Sequence, residues 1–158
     1  MHPTRRILLL FAPAFCALAI APAGFSTTLT PTESAFVLAV NATRTAHGLR
    51  PLQIGAGLTL AARFHSSEML HGNYFSHGDF AGRMADFHVD APLLGENLAW
   101  GTGRYAQAPA MISEWLRSPG HRANLLRPGF ARIGIGIARG RFLGNKGAVV
   151  LTADFAGP

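Results

Sequence analysis

The chain has 158 residues, of which 49% are apolar and 14% charged, which suits one domain with a real core and is too short for two. Its net charge of +6 comes from 14 basic and 8 acidic residues, and the arginines are spread along the chain without an aromatic–basic repeat. This predicts a solvated basic surface, or loose attraction to anionic wall polymers and lipids, and argues against nucleic-acid binding.

The N-terminus has the features of a secretory signal peptide. Arg5 and Arg6 precede an apolar run at 7–20, and small residues follow at the expected cleavage position. An uncleaved anchor is the competing interpretation, but Pro13 interrupts the run, which is also shorter than the ~20 apolar residues that span a bilayer. We therefore predict cleaved export.

This interpretation divides the chain into a signal peptide at 1–23, a short tether at 24–30 and a single domain at 31–158. No transmembrane segment remains after cleavage, and the predicted location is secreted or periplasmic. The single cysteine, Cys16, lies in the signal segment, so the mature chain would have no disulfide and packing alone must hold its fold.

The first predicted helix has a clear start and stop. Thr30 can cap it, Pro31 suits its first position, and Glu33 can reach back to complete a capping box. The apolar spacing continues to about His47, and Gly48 ends the helix. Farther along, the pattern predicts helices at 58–71, 80–87 and 106–117, with loops at 73–78 and 89–95.

The C-terminal third changes from helical to alternating periodicity. Apolar residues recur at period two in two segments, which predicts a β-hairpin: Ile133, Ile135 and Ile137, then Val149, Leu151, Ala153 and Phe155. Gly134 and Gly136 alternate within the first segment instead of opening a helix, so they predict a close-packed sheet face and not a phosphate loop. Helices followed by an antiparallel sheet indicate an α+β domain.

Three motifs carry a family resemblance: YFSH at 74–77, GENLAW at 95–100 and SEWLRSPGHRANLL at 113–126. Together they resemble the bacterial SCP-domain branch of the CAP superfamily, which includes cysteine-rich secretory proteins, the antigen 5 group and the plant pathogenesis-related 1 group. The resemblance covers about 33–156 and implies a three-layer α-β-α sandwich with a central antiparallel sheet. The absence of disulfides departs from animal and plant members and favours a bacterial origin.

The resemblance also implies a site in which two histidines and two glutamates face one cleft. His77, Glu96 and His121 match three of these positions directly. The usual position of the fourth acid is occupied by Ser118, but Glu114 lies four residues upstream, about one helical turn away on a similar face. Two interpretations of Glu114 stay open: it replaces the missing acid, or it is an ordinary surface glutamate.

The same resemblance makes His77 and His121 the candidate ligands of zinc or another divalent cation. The alternative is that each ring only hydrogen-bonds across loop and helix ends, with Glu96 as partner. The sequence contains no HExxH or cysteine-based zinc signature, so two imidazoles would need water or a carboxylate to complete the shell. The remaining histidines, His65 and His71 among them, are weaker candidates.

Three functions compete at this point. The first is an exported, non-enzymatic module whose cleft binds a divalent metal, a small ligand, a lipid or a wall component, or whose surface meets a partner, and we prefer it. The second is a metal-assisted hydrolase acting on peptide or cell-wall material, although no nucleophile with an attached base is evident. The third is a structural surface protein.

Overall fold

The computed structural model describes residues 28–158, so the predicted signal peptide lies outside the described residues. In chain order the elements are α1 Pro31–Ala46, β1 Gln53–Ile54, α2 Ala56–Gly72, α3 Phe80–Asp86, β2 Leu94–Gly101, a 3₁₀ helix Gly103–Ala106, α4 Ala108–Arg117, α5 Pro119–Leu125, β3 Arg132–Phe142 and β4 Asn145–Ala156.

Helix α1 begins as the sequence predicts. The Thr30 amide donates to the Glu33 carboxylate at 2.8 Å, and the Glu33 amide donates to the Thr30 hydroxyl at 3.2 Å. This confirms the capping box. Glu33 is also buried and accepts from Arg63 of α2 at 2.6 Å, so the same carboxylate ties the two helices together.

The four strands form one sheet in the order β1-β3-β4-β2. Strands β3, β4 and β2 are antiparallel, and the two-residue β1 adds a short parallel edge beside β3. The predicted hairpin is therefore confirmed, with Leu143 and Gly144 at its turn, both at positive φ. Helices pack on both faces of this sheet, as expected for an α-β-α sandwich.

One sheet face lies directly under α2, and two glycines make this possible. A Cβ on Gly134 would come within 2.1 Å of Leu58 backbone, and one on Gly136 within 2.0 Å of Ala62 backbone. The structure thus confirms the close-packed interpretation of the alternating glycines. The opposite face carries the main core with α1 and α4, which includes Phe36, Val40, Trp115, Ile133, Ile135, Leu151 and Phe155.

Two local features differ from the sequence prediction. Pro119 does not merely end α4: it occupies the first turn of α5, where its missing amide proton costs nothing. The predicted loop at 89–95 ends early because β2 begins at Leu94, so Glu96 lies within a strand and not after a loop. Strand pairing with β4 along its whole length explains this, since the short segment has little periodicity of its own.

The expectation of a solvated basic surface is wrong for two arginines. Arg44 on α1 is fully buried and donates to the backbone carbonyls of Arg50, Leu125 and Arg127 at 2.9 to 3.1 Å. Arg83 on α3 is also buried. Arg44 therefore fixes the chain that follows α5, while Arg83 belongs to the site described next.

Candidate functional site

His77 and Glu96 form the centre of the candidate site. His77 lies in the loop before α3, and its Nδ1 is 2.6 Å from Oε1 of Glu96. Because a carboxylate can only accept, the ring nitrogen donates in this bond. The Glu96 side chain is 2% exposed and that of His77 is 58% exposed, so a buried acid holds a solvent-facing imidazole by one nitrogen.

Arg83 binds the second oxygen of the same carboxylate. Its Nη2 donates to Oε2 of Glu96, and its Nη1 donates to the backbone carbonyl of His77 at 3.3 Å. The guanidinium thus contacts both members of the His77–Glu96 pair. A buried ion pair of this kind costs desolvation energy, and losing one partner is worse because a buried charge is left uncompensated.

His65 on α2 approaches this group from the other side. Its ring is fully buried, its Nε2 lies 2.9 Å from the Ser76 carbonyl, and its Nδ1 lies 3.2 Å from Glu68. The Nε2 atom is also 3.9 Å from Oε2 of Glu96. Both ring nitrogens face oxygen acceptors, so His65 anchors the loop that carries His77 to helix α2.

Asp154 on β4 completes the buried polar group. It is paired with Glu96 in the strand register and is not accessible to solvent. Burial, reinforced by the negative charge of Glu96 and opposed by Arg83, raises the pKa of Asp154 well above its ordinary 3.8. Two buried carboxyl groups therefore lie in register beneath α2, and Arg83 donates to that of Glu96.

Two asparagines connect the strand to α5. Asn97 donates to the His121 carbonyl at 3.0 Å, and Asn124 donates to the Glu96 carbonyl at 3.0 Å and to the Asn97 side chain at 3.1 Å. Successive side chains of a strand point to opposite faces of the sheet, so Asn97 faces α5 whereas Glu96 faces α2. These bonds fix the backbone of His121 relative to that of Glu96.

A cleft of about 480 Å³ opens at the free edge of β2, beside α4. Its walls are mostly aromatic or aliphatic, with a polar side: Phe75, Leu98, Ala99, Trp100, Tyr105, Ala110, Met111, Glu114, Trp115, Ser118 and His121. The Trp115 side chain is buried and donates to the Leu98 carbonyl at 2.9 Å, which joins α4 to β2 at the cleft wall.

The two remaining candidates, His121 and Glu114, have different surroundings in the structure. His121 is half-buried in the cleft wall beside Trp115, with ring centroids 6.3 Å apart. Burial lowers its pKa, and the neighbouring charge of His77 lowers it further. Glu114 lines the same cleft as Ser118, but its exposed carboxylate pairs with Arg117.

The donor set restricts which metal site the chain could build. Among residues 28–158, no three histidine, cysteine, aspartate or glutamate side chains are grouped closely enough to hold one ion. The Nδ1 of His77 is already bonded to Glu96, which leaves its Nε2 as the available ring nitrogen. These residues fit only an open arrangement with two imidazoles and water, not a closed structural zinc site.

Arg83, Asp154 and the role of His65 were not predicted from the sequence. One signal for Asp154 was available: the apolar positions of β4 alternate, which places Thr152 and Asp154 together on the other face. An acid at such a position, level with two glycines that admit a helix, must be buried and needs a partner. Nothing in the local pattern around Arg83 or His65 indicates that they converge on Glu96.

The comparison with protein families decides the relationship of this chain. The profile of the cysteine-rich secretory protein family (CAP) matches residues 37–155, most of the chain. The chain belongs to the CAP family. Two Bacillus subtilis (strain 168) proteins are similar to it: the uncharacterized protein YkwD, 37% identical over 66% of this chain, and the uncharacterized membrane protein YlbC, 34% identical over 73%. The chain spans 41% and 34% of their lengths.

Solved structures place the CAP domain in its bacterial branch. An extracellular SCP-domain protein of Bacillus anthracis str. Ames is 28% identical with a TM-score of 0.68, covering 84% of this chain and 45% of that one. A cysteine-rich secretory protein of Staphylococcus aureus is 20% identical with a TM-score of 0.67, and the match covers 80% of this chain and 38% of that one. An outer surface protein of Borrelia burgdorferi is 19% identical with a TM-score of 0.62, and the match covers 79% of this chain and 92% of that one. These last two show the shared fold. No helix within 28–158 is long and apolar enough to cross a membrane.

Proposed function

We propose that this CAP protein is an exported, non-enzymatic binding module whose cleft takes a small ligand with an apolar body and a polar end, such as a lipid or a wall component. The observation that carries the proposal is the cleft itself. Its walls are largely aromatic and aliphatic, while His121 and Glu114 supply polar groups on one side. Ligand sites in proteins typically combine such walls with a few oriented polar groups.

The His77–Glu96 pair supports binding more than catalysis. Each oxygen of Glu96 accepts a hydrogen bond from a side chain, one from His77 and the other from Arg83, so the carboxylate serves to orient the imidazole. The Ser76 hydroxyl accepts a hydrogen bond from the Gly78 amide, so this hydroxyl helps to shape the loop. A hydrolase acting on peptide or wall material is the alternative that turnover would establish.

A divalent cation such as zinc belongs to this proposal as a weakly bound ligand. His77 and His121 would be the protein ligands, and water would complete the coordination. A cation held this way would supply a positive charge at the polar side of the cleft. Such a site should bind with modest affinity, because structural zinc sites use four protein ligands and catalytic sites three.

Export is proposed from two independent observations. The first is the predicted signal peptide at 1–23 with its small residues at the cleavage position. The second is that similar structures include proteins described as extracellular and outer-surface. Secretion and retention in a periplasm fit both observations equally.

The test is a zinc titration of the purified protein, monitored by calorimetry and by tryptophan fluorescence. Both tryptophans of the chain, Trp100 and Trp115, line the cleft, so their emission reports on its occupancy. The His77→Ala, His121→Ala double variant is compared with His47→Ala, His71→Ala, which removes two exposed histidines outside the cleft. Saturable binding lost only in the first variant supports the proposal.

A second titration, with an amphipathic probe such as a short-chain lysophospholipid, tests the ligand class. Saturable fluorescence change that zinc or the His121→Ala substitution alters would support a ligand cleft. Absence of binding by either probe, with the first double variant merely less stable, would make the histidines structural and contradict the proposal.

A further inference from the structure

Asp154 is a buried acid to which the proposed function assigns no role. The strand register places it between Gly134 on β3 and Glu96 on β2, so all three share the face that α2 covers. Gly134 contributes no side chain, and the α2 backbone lies directly above it. The side chain that approaches Asp154 within the sheet is therefore Glu96.

The carboxyl group of Asp154 has unusual surroundings. The residue is fully buried, and neither oxygen has a donor among the described residues. The hydroxyls of Ser66 and Thr152 lie 2.9 Å apart, and that of Ser66 is also 2.9 Å from the Gly136 carbonyl, so they contact each other and the backbone and not Asp154. An ionised carboxylate left without any donor at such a depth is among the most costly groups that a protein can bury.

The charged groups around Asp154 compensate an ionised carboxylate only in part. Glu96 comes from β2, Arg83 from α3 and His65 from α2, while β3 presents a glycine at this level. The guanidinium of Arg83 is already paired with Glu96, and His65 bonds to Ser76 and Glu68. A second negative charge would have no cation of its own.

A proton resolves both difficulties at once. Two ionised carboxylates offer only acceptors to each other, but a neutral carboxylic acid has one O–H donor. The strand register pairs Asp154 with Glu96, and a hydrogen bond between two neighbouring carboxyl groups can form only when one of them is protonated. Protonation therefore supplies Asp154 with a partner and Glu96 with another donor beside Arg83 and His77.

We propose that Asp154 is a neutral carboxylic acid at neutral pH that donates its proton to Glu96, and that it thereby acts as a positioning residue for the carboxylate that holds His77. Asp154 acts on the same site as the proposed function and gives that site a fixed acceptor. Its charge state does not depend on ligand binding, so a measurement of charge tests it separately from that function.

Electrophoresis of the full chain at pH 7 tests the charge. Asp154→Asn replaces a carboxylic acid by a neutral amide of similar shape, and Asp90→Asn is the matched control at an exposed position. Under native conditions Asp154→Asn should migrate with the unsubstituted protein, whereas Asp90→Asn should shift by one charge. In urea both variants should shift by one charge, since Asp154 ionises once exposed. A native one-charge shift for Asp154→Asn would overturn the proposal.

Nitrogen NMR of the His77 ring tests positioning, which a purely structural role would not affect. Asp154→Asn retains a donor toward Glu96, so the Nδ1–H tautomer of His77 should persist; Asp154→Leu removes the donor, so the tautomers should mix. An unchanged tautomer in a folded Asp154→Leu protein would refute the positioning role.

If Asp154→Leu does not fold, infrared spectroscopy at pH 7 decides. The carbonyl band of a protonated carboxylic acid should be present in the unsubstituted protein and missing from Asp154→Asn. A spectrum without that band in the unsubstituted protein would refute the neutral acid.

Discussion

A single methyl group added at Gly136 should separate α2 from the sheet. A Cβ there would lie 2.0 Å from the carbonyl carbon of Ala62 and 2.1 Å from the amide nitrogen of Arg63. Both atoms are backbone, so no rotamer change can relieve the contact, and the helix must retreat by about 1 Å. The retreat also strains the bond from Ser66 to the Gly136 carbonyl, now 2.9 Å.

We expect Gly136→Ala to lower the free energy of unfolding by about 3 kcal/mol, the upper end of the range for overpacked cores. The measurement is urea unfolding monitored by circular dichroism, and the dependence of the unfolding free energy on urea concentration should have the same slope in the variant and the unsubstituted protein. Gly120→Ala is the control, because a Cβ at this position in α5 meets nothing within 4 Å.

The control should be neutral or stabilising by up to about 1 kcal/mol, since alanine favours a helix more than glycine does. The reasoning fails if Gly136→Ala unfolds within about 0.5 kcal/mol of the unsubstituted protein, the range of ordinary surface changes. In that case α2 would not be held against the sheet at the distance that the structure shows.

Three further predictions concern the ionisable groups. Arg83→Met leaves Glu96 without its cation and should lower the free energy of unfolding in urea by about 3–5 kcal/mol. The control Arg117→Met, which removes an exposed ion pair, should lower it by less than about 1 kcal/mol. Equal losses in the two variants would contradict the buried network. Because the pKa of Asp154 is raised, the folded protein binds more protons than the unfolded chain does above pH 3.8. The stability of the unsubstituted protein relative to Asp154→Asn should therefore fall as pH rises above 3.8, by at most about 1.4 kcal/mol per pH unit. A stability difference that does not change with pH would refute this. Because the pKa of His121 is lowered, the unfolded chain binds more protons, so stability should rise as pH increases toward 6.5, and thermal unfolding of His121→Gln should lack that rise.

The local elements were predictable because their signals are local. The capping box of α1 involves residues three apart, and the hairpin of β3 and β4 shows its period within each strand. Helices α2, α3 and α4 agree with their predicted positions to within about two residues, which is the usual uncertainty of helix ends. Strand β2 was missed because its pairing with β4 creates it.

That the motif residues form one functional site stays a prediction, and the structure shows where three of them lie. The structure brings His77 and Glu96 into contact and places His121 in the wall of the cleft. The question about Glu114 stays a prediction to be tested, since it lines the cleft with Ser118 yet pairs with Arg117. Zinc binding by His77 and His121 likewise stays a prediction.

The sequence by itself determined the capped start of α1, the hairpin, the tight glycine face and, through three motifs, the CAP family. The tertiary structure alone decided that His65, Arg83, Glu96 and Asp154, which come from four different elements, meet beneath α2. The physical reason is that periodicity reports which face of an element is apolar, whereas the partner of a buried charge is set by strand register and helix packing between distant residues.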